Sequence, residues 1–114
     1  MWKPNSIVVS NSRDLSQLPP NKIALTVTSP PYHNAINYQE HQDTEKWYRG
    51  TVEISLEDWL EEMRTVFSEV YRITKPGGFC CIVIGNEIIE GKSKLPLPAL
   101  LLVELTKKEI GWSF

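Results

Sequence analysis

The 114-residue sequence is poor in the residues that build metal and redox sites, with two cysteines and two histidines. Cys80 and Cys81 are adjacent in an apolar run, and neighbours on a strand point to opposite faces, so we expect no disulfide between them. No Cys-x-x-Cys pair occurs, and His33 and His41 stand apart, which argues against a structural zinc site. We predict that both cysteines are small buried residues, that both histidines are ordinary loop residues, and that the chain holds no metal.

Long apolar runs and an excess of basic residues are also lacking. No run approaches the roughly 20 apolar residues that cross a bilayer, and residues 1–5 lack the apolar core of a signal peptide. The net charge of −2 does not provide the basic surface of a self-sufficient nucleic-acid-binding domain. The sequence therefore predicts a cytoplasmic protein with no membrane partner, whose contacts with nucleic acid would need a basic surface from elsewhere.

The first half of the chain alternates apolar runs with turn signals. Ile7-Val8-Val9-Ser10 predicts a strand that passes into a helical turn capped by Ser12, and Pro19-Pro20-Asn21 ends that turn. A β-branched run over 23–28 predicts a second strand. The polar and aromatic stretch of 33–54 is long for a connection, which is typical of a lid or a binding loop.

The clearest predicted helix begins at Ser55, which can cap it, with acidic residues in its first turn. Apolar residues then recur every three or four positions until Pro76-Gly77-Gly78 ends the pattern. The run over 79–85 is apolar on both faces, which is typical of a central parallel strand covered by helices on both sides. The remaining predicted elements are a polar loop over 86–94, a helix over 97–110 and the start of a strand at 112–114.

This alternation predicts one α/β domain: a partial Rossmann-like fold, mostly a parallel sheet with flanking helices. Ligands of such sheets bind beyond the carboxyl ends of the strands. Three loops would meet there, over 10–14, 29–38 and 85–91.

Ser29-Pro30-Pro31-Tyr32 follows the second predicted strand and is stiff, because proline fixes φ and pushes the preceding residue away from the helical region. The segment holds a hydroxyl, backbone carbonyls and an aromatic ring in fixed relation. This suits a flat substrate bearing an amine: the Ser29 hydroxyl and the Pro30 carbonyl each accept one N–H, and Tyr32 stacks on the ring. Accepting both protons draws the nitrogen lone pair out of conjugation and frees it to attack an electrophile.

Thr28-Ser29-Pro30-Pro31-Tyr32 resembles the catalytic motif of the S-adenosylmethionine-dependent amino-methyltransferases of DNA. The serine version is most typical of the cytosine-N4 enzymes, whereas the adenine-N6 enzymes more often carry Asp in that place. Other segments resemble the family in the same order along the chain: Ser10 to Leu15, Ser55 to Gly78, Ile84 to Asn86, Leu95 to Pro98, and Gly111-Trp112.

The resemblance implies roles for particular residues. Ser29, Pro30 and Tyr32 would hold the target base, which must be flipped out of the duplex, and Pro31 would lock the turn. The other implied contacts are to substrate, by Asn34, Asn37 and Tyr38, and to S-adenosyl-L-methionine, by Asn11, Ser12 and Asn86. Asn11 stands where the family often has Asp.

One feature of the family does not occur: the aromatic-x-Gly-x-Gly loop that cradles the methionine part of the cofactor. Many of these enzymes are circularly permuted, with the catalytic motif first and the cofactor loop last, and this sequence resembles the front of that order. We expect residues 1–114 to be the N-terminal catalytic-motif part of a permuted enzyme, or one chain of a split one. Its partners would be double-stranded DNA and a C-terminal half or second chain carrying the cofactor loop.

Alternatives remain open. The target could be adenine N6, or the enzyme could act on RNA or on a protein amide, where related Asn-Pro-Pro-Tyr motifs serve. The chain could also be a non-catalytic binding subunit, and the proline pair a simple loop terminator. We expect Trp59 to serve packing and Glu87 to lie at the surface. Cytosine-C5 chemistry is not offered, because neither cysteine follows a proline.

Overall fold

The computed structural model describes residues 2–31, 33, 55–89 and 93–114. In chain order the elements are β1 (Ile23–Thr28), α1 (Leu56–Ile73), β2 (Thr74–Ile82), β3 (Glu87–Ile89), β4 (Ser93–Leu95) and α2 (Leu97–Leu105). β1 and β2 pair in parallel, and β3 and β4 pair as an antiparallel hairpin. The predicted α/β class, with a parallel pair joined through a helix, is confirmed.

Helix α1 begins where its capping residue predicts. The Ser55 hydroxyl accepts the backbone N–H of Asp58 at 3.0 Å, and Glu57 and Asp58 place negative charge at the positive end of the helix. Its buried side chains recur at helical spacing: Trp59, Leu60, Met63, Phe67, Val70 and Ile73. The amphipathic face that the sequence predicts is therefore the face that forms the core.

The end of α1 differs from the prediction, because the helix stops at Ile73 and not at Pro76-Gly77-Gly78. Thr74 already has extended backbone angles and begins β2. The last turn of the helix receives donors from the segment before β1: Asn21 N–H bonds to the Arg72 carbonyl at 3.0 Å, and Lys22 N–H bonds to the Ile73 carbonyl at 2.7 Å. Distant donors thus satisfy the helix end without a proline-glycine stop.

Pro76, Gly77 and Gly78 instead form an irregularity inside β2. Ile23 pairs with Thr74, and the next aligned pair is Leu25 with Phe79, so the register shifts between them. Gly77 adopts a φ of 80°, which favours glycine. From there the parallel register is regular to the pair Thr28 and Ile82. The strand predicted over 79–85 therefore starts earlier and ends earlier.

The core lies between the two helices and one face of the parallel pair. Its fully or nearly buried members are Trp59, Leu60, Met63, Phe67, Val70, Leu97, Leu101 and Leu105. Cys80, Ile82 and Ile84 pack against this cluster from the sheet. Burial of each large side chain contributes roughly 1.5–3 kcal/mol, so the α1–α2–sheet contact is the main source of stability.

The opposite face of the pair is apolar and exposed. Leu25 lies beside Phe79 and Val27 beside Cys81, and Phe79 and Val27 are 70% and 66% exposed. We call Leu25, Val27, Phe79, Cys81 and Val83 the open sheet face. The prediction of helices on both sides holds for only one side within the described residues. The prediction that both cysteines are buried is wrong for Cys81, because its position on the pleat turns it outward.

The segment before β1 does not form the predicted strand. Ile7 and Val9 are almost fully exposed, and residues 7–10 pair with no strand of the described chain. Asn11, not Ser12, caps the following turn, since its side-chain oxygen accepts the Arg13 N–H at 3.0 Å. A strand needs a neighbour for its backbone groups, and periodicity alone cannot supply one.

Arg72 anchors residues 15–18 to the end of α1. Its guanidinium donates to the carbonyls of Leu15 and Leu18 at 2.8 and 3.1 Å, and to Glu69. Glu69 also accepts the Leu15 N–H at 2.7 Å. The hydrogen bond from Arg72 holds the pKa of Glu69 below its usual range.

The second half contains two further departures. The predicted loop over 86–94 includes the β3–β4 hairpin, and α2 ends at Leu105 and not at residue 110. Residues 106–110 form turns, and Gly111 follows with a φ of 104° against the Tyr71 ring. In the described ranges, neither helix combines the length and apolar character that crossing a bilayer requires.

Replacing Gly78 by alanine tests the irregularity in β2. A Cβ there would lie 2.9 Å from the Ala24 carbonyl oxygen and 2.7 Å from Thr74 Cγ2, so we expect Gly78→Ala to lower the free energy of unfolding by about 1–3 kcal/mol. Gly77→Ala is the matched control: it meets no atom within 4 Å and carries only the strain of positive φ, about 1 kcal/mol. Urea denaturation measures both, and an unfolding free energy of Gly78→Ala equal to that of the wild type would show that β1 and β2 approach each other differently.

The two cysteines should differ in reactivity because the pleat separates them. Burial raises the pKa of the Cys80 thiol to about 11, so roughly one Cys80 in a thousand is ionised at pH 8. Cys81 is exposed. We expect iodoacetamide to label Cys81 about tenfold faster or more, measured by mass spectrometry on Cys80→Ser and Cys81→Ser chains. Equal rates would contradict the assignment of faces.

Candidate active site at the carboxyl ends of the parallel strands

Ser29-Pro30-Pro31 leaves the sheet at the carboxyl end of β1. The last pair of the parallel register, Thr28 with Ile82, places the end of β2 directly beside it, and Val83 N–H bonds to the Thr28 carbonyl at 2.9 Å. Ser29 is exposed, Pro30 is buried and Pro31 is half-buried. Ser29, whose hydroxyl the sequence singles out, is therefore exposed at the carboxyl ends of β1 and β2, which we call the open edge, and the next residue, Pro30, is buried behind it.

Trp59 ties this segment to helix α1. Its indole Nε1 donates to the Pro31 carbonyl at 3.0 Å, although the side chain is fully buried in the core. The expectation that Trp59 serves packing is confirmed, and the hydrogen bond is a contribution that the helical periodicity does not reveal. The first turn of α1 thus contacts the proline pair on its buried side.

His33 and Glu87 form a buried pair on the same side of the site. His33 Nδ1 lies 2.9 Å from Glu87 Oε2, and the two side chains are 11% and 4% exposed. The His33 ring also meets Trp59 edge to face, with centroids 6.4 Å apart. The expectation of a surface Glu87 is wrong, because hairpin β3–β4 carries Glu87 inward at the start of β3. His33 lies in a loop, and its side chain is buried against Glu87.

The other predicted site residues divide by location. Asn86 is exposed and lies at the same edge, four residues beyond the end of β2. Asn11 and Ser12 are exposed on the segment beside α1; Asn11 bonds to Arg13, which pairs with Glu62 of the helix. The remaining predicted residues, Tyr32, Asn34, Asn37 and Tyr38, lie outside the described residues.

An apolar cleft of about 390 Å³ lies elsewhere, between β2, α2 and the last residues of the chain. Ile82, Leu101 and Trp112 are among its lining residues, and no charged side chain of the described chain lines it. This chemistry suits packing against further apolar side chains better than it suits a charged cofactor.

Comparison with known proteins finds relatives among DNA methyltransferases. A family model for N6/N4 methyltransferases, described as DNA methylase, matches residues 23–114. Two type II methyltransferases are similar in sequence: M.BglI of Bacillus subtilis, 32% identical over 95 residues, and M.SfiI of Streptomyces fimbriatus, 30% identical over 82 residues. The matches cover 82% and 71% of this chain, but only 24% and 18% of those proteins.

A solved structure shares the fold. The putative DNA modification methylase TTHA0409 from Thermus thermophilus superimposes with a TM-score of 0.66 at 26% identity, and its complex with S-adenosyl-L-methionine gives 0.67. The match covers 92% of this chain and 39% of that chain. Because the family model spans most of the sequence, the chain belongs to the DNA methylase family of N6/N4 methyltransferases.

Proposed function

We propose that this chain supplies the base-holding part of a DNA methyltransferase that methylates an exocyclic amine, with cytosine N4 as the favoured target. The single observation that supports it most is the exposed Ser29 on a proline pair at the carboxyl end of β1, where ligands of parallel sheets bind. Membership of the DNA methylase family and similarity to two type II methyltransferases support the same reaction class.

The chemistry requires the base to leave the duplex, because a paired amine has its N–H groups and its lone pair engaged. Once the base is flipped out, the Ser29 hydroxyl and the Pro30 carbonyl would each accept one amine N–H, and Tyr32 would stack on the ring. The nitrogen lone pair would then be free to attack the methyl carbon of the donor. The new N–C bond would form as the carbon–sulfur bond of the donor breaks, its electron pair would leave with the sulfur, and the displaced amine proton would pass to solvent.

Rigidity is what the proline pair adds to these acceptors. Displacing a reacting group by about 1 Å can cost roughly 100-fold in rate, so an acceptor pair on a mobile loop would lose much of its effect. Pro30 is buried, and the Trp59 indole holds the Pro31 carbonyl at 3.0 Å. The turn is therefore held from behind while Ser29 faces the open edge.

Serine at position 29 favours cytosine over adenine, because the family more often has Asp there in adenine-N6 enzymes. Asn in that place marks the enzymes of RNA and protein amides, and its absence here disfavours those substrates. A restriction-modification role fits the names of the two sequence relatives. Each alternative predicts a different methylated product, so product analysis separates them.

We propose S-adenosyl-L-methionine as the cofactor, since the related TTHA0409 structure holds it. When bound, it supplies an activated methyl group. The described residues fit only part of such a site: Asn86 is exposed beside the Ser29 edge, and Asn11 and Ser12 offer exposed polar side chains. The sequence has no Gly-x-Gly for the methionine part, so we propose that another part of the enzyme provides it.

That other part would cover the open sheet face. Parallel sheets occur almost only with both faces covered, and soluble proteins rarely expose large contiguous apolar patches. Val27 and Phe79 are mostly exposed here, and this chain spans about a quarter or less of its two sequence relatives. We propose a C-terminal half or second chain as the occupant, and double-stranded DNA as the substrate of the assembled enzyme.

Replacing Ser29 by alanine tests the proposed chemistry. In the complete enzyme, Ser29→Ala should lower methyl transfer to double-stranded DNA at least about 100-fold, because one acceptor of the amine is lost. DNA affinity should stay within about threefold. Methyl transfer is measured with labelled cofactor, and the methylated nucleoside is identified by mass spectrometry.

Ser68→Ala, on the exposed side of α1, is the matched control and should keep full activity. Full activity of Ser29→Ala would remove Ser29 from the chemistry. N6-methyladenine, or transfer to RNA or protein alone, would contradict the cytosine-N4 assignment. Absence of any transfer by the wild type, with DNA binding intact, would favour a non-catalytic subunit.

Labelling of Cys81 tests the covered face. Iodoacetamide should modify Cys81 rapidly in the chain alone and at least about tenfold more slowly in the complete enzyme, because the occupant would shield the open sheet face. Ser68→Cys provides the control, since that position is exposed on α1 and should be labelled in both. Unchanged labelling of Cys81 in the complete enzyme would show that the occupant binds elsewhere.

A further inference from the structure

Three segments that are far apart in the sequence meet behind the proline pair. Trp59 of α1 reaches Pro31 across 28 positions, and Glu87 of β3 reaches His33 across 54 positions. The His33 ring contacts Trp59 edge to face, with an interplanar angle of 70°. The two hydrogen bonds therefore share one junction, because Pro31 and His33 are two positions apart in the sequence.

The pair is an unusual choice for a buried position. Carboxylates and imidazoles lose hydration on burial, and an apolar pair of similar volume often stabilises a fold as well or better. What the polar pair adds is direction, because a hydrogen bond fixes the angle and the distance of both groups. Where the Glu87 carboxylate accepts this hydrogen bond, Nδ1 of His33 is the nitrogen that donates it.

The His33–Glu87 hydrogen bond lies close to the residues of the candidate site. His33 is two residues beyond Pro31, and Glu87 directly follows the exposed Asn86. A shift of the hairpin would move the His33 ring against Trp59, and with it the indole that holds the Pro31 carbonyl at 3.0 Å. The loop after β1 and the loop after β2 are thus joined by side chains as well as by the sheet.

We propose that His33 and Glu87 are positioning residues that, through Trp59, fix the orientation of Ser29-Pro30-Pro31 for methyl transfer. This role rests on the proposed function, but its structural half is independent of it: the pair holds the Trp59 indole on the Pro31 carbonyl. Neither side chain is assigned contact with the substrate or the cofactor.

The structural half is tested on the 114-residue chain by NMR exchange of indole protons. Glu87→Ala should speed exchange of the Trp59 indole N–H at least about tenfold, because the ring that steadies it is released. Trp112 provides an internal control, since its indole N–H donates to the Phe67 carbonyl at 3.1 Å, away from the junction. Glu87→Gln, which keeps an acceptor for Nδ1, should restore most of the protection.

Three results would overturn the structural half. Unchanged exchange of the Trp59 indole in Glu87→Ala would show that the pair does not hold it. Equal acceleration at Trp59 and Trp112 would show a general loss of stability in place of a local role. Equally fast exchange of the Trp59 indole N–H in Glu87→Gln and Glu87→Ala would show that the hydrogen bond to His33 does not protect the indole.

The catalytic half is tested in the complete enzyme. Glu87→Ala and His33→Ala should lower kcat about 10- to 100-fold, with KM for DNA within about threefold of the wild-type value. Glu87→Gln should recover at least about half of the decrease in log kcat that Glu87→Ala causes. His33→Asn should likewise have a higher kcat than His33→Ala, because the asparagine amide can donate a hydrogen bond from near the Nδ1 position. Glu104→Ala is the control: it breaks the partly buried pair with Arg64 between α1 and α2, and should leave kcat unchanged.

The failure of this role and of the proposed function are distinguishable. An inactive Ser29→Ala enzyme together with a Glu87→Ala enzyme of wild-type kcat would overturn the positioning role and leave the methyltransferase proposal standing. A fully active Ser29→Ala enzyme would overturn the proposed chemistry, and the catalytic half of the positioning role with it, while the indole exchange still decides the structural half.

Discussion

The hydrogen bond from Trp59 to the Pro31 carbonyl is the contact on which the rest of the site depends. Two consecutive prolines remove two backbone N–H groups at the end of β1, so the segment cannot be held by a sheet ladder. Something other than backbone must fix it. The indole does so at 3.0 Å from within the core, and this explains why a fully buried tryptophan stands in the first turn of α1.

Helix α1 therefore has two roles that compete for the same residues. Its apolar face supplies most of the core, and its N-terminal turn forms the wall of the site. Phe67 and Met63 could be exchanged for other apolar residues of similar volume at modest cost. Trp59 could not, because phenylalanine would fill the space and leave the Pro31 carbonyl without its donor. The packing of the core and the position of the proline pair therefore both depend on this one side chain.

Local signals predicted what depends on local contacts. The strand over 23–28 and the cap at Ser55 follow from neighbouring residues, and both are found as predicted. The end of α1 was predicted wrongly because distant residues, Asn21 and Lys22, satisfy its last carbonyls. The burial of Glu87 was missed because only the β3–β4 hairpin turns its side chain inward. Ser29 could be singled out from its proline neighbours, whereas the pair behind it could not, since nothing in the sequence joins positions 33 and 87.

The open sheet face and the candidate site lie on the same two strands, and this constrains how the proposed complete enzyme would be built. Covering Val27 and Phe79 stabilises β1 and β2 along their length, and the carboxyl ends of those strands carry Ser29 and Asn86. In the proposed enzyme, a part that supplies the cofactor loop would thus be held against the strands that carry the proposed base-holding residues. Under the proposed function, assembly and catalysis would then be coupled through the parallel pair, because loosening the covered face would also loosen the carboxyl ends of the strands, where we propose that the methyl donor and the amine meet.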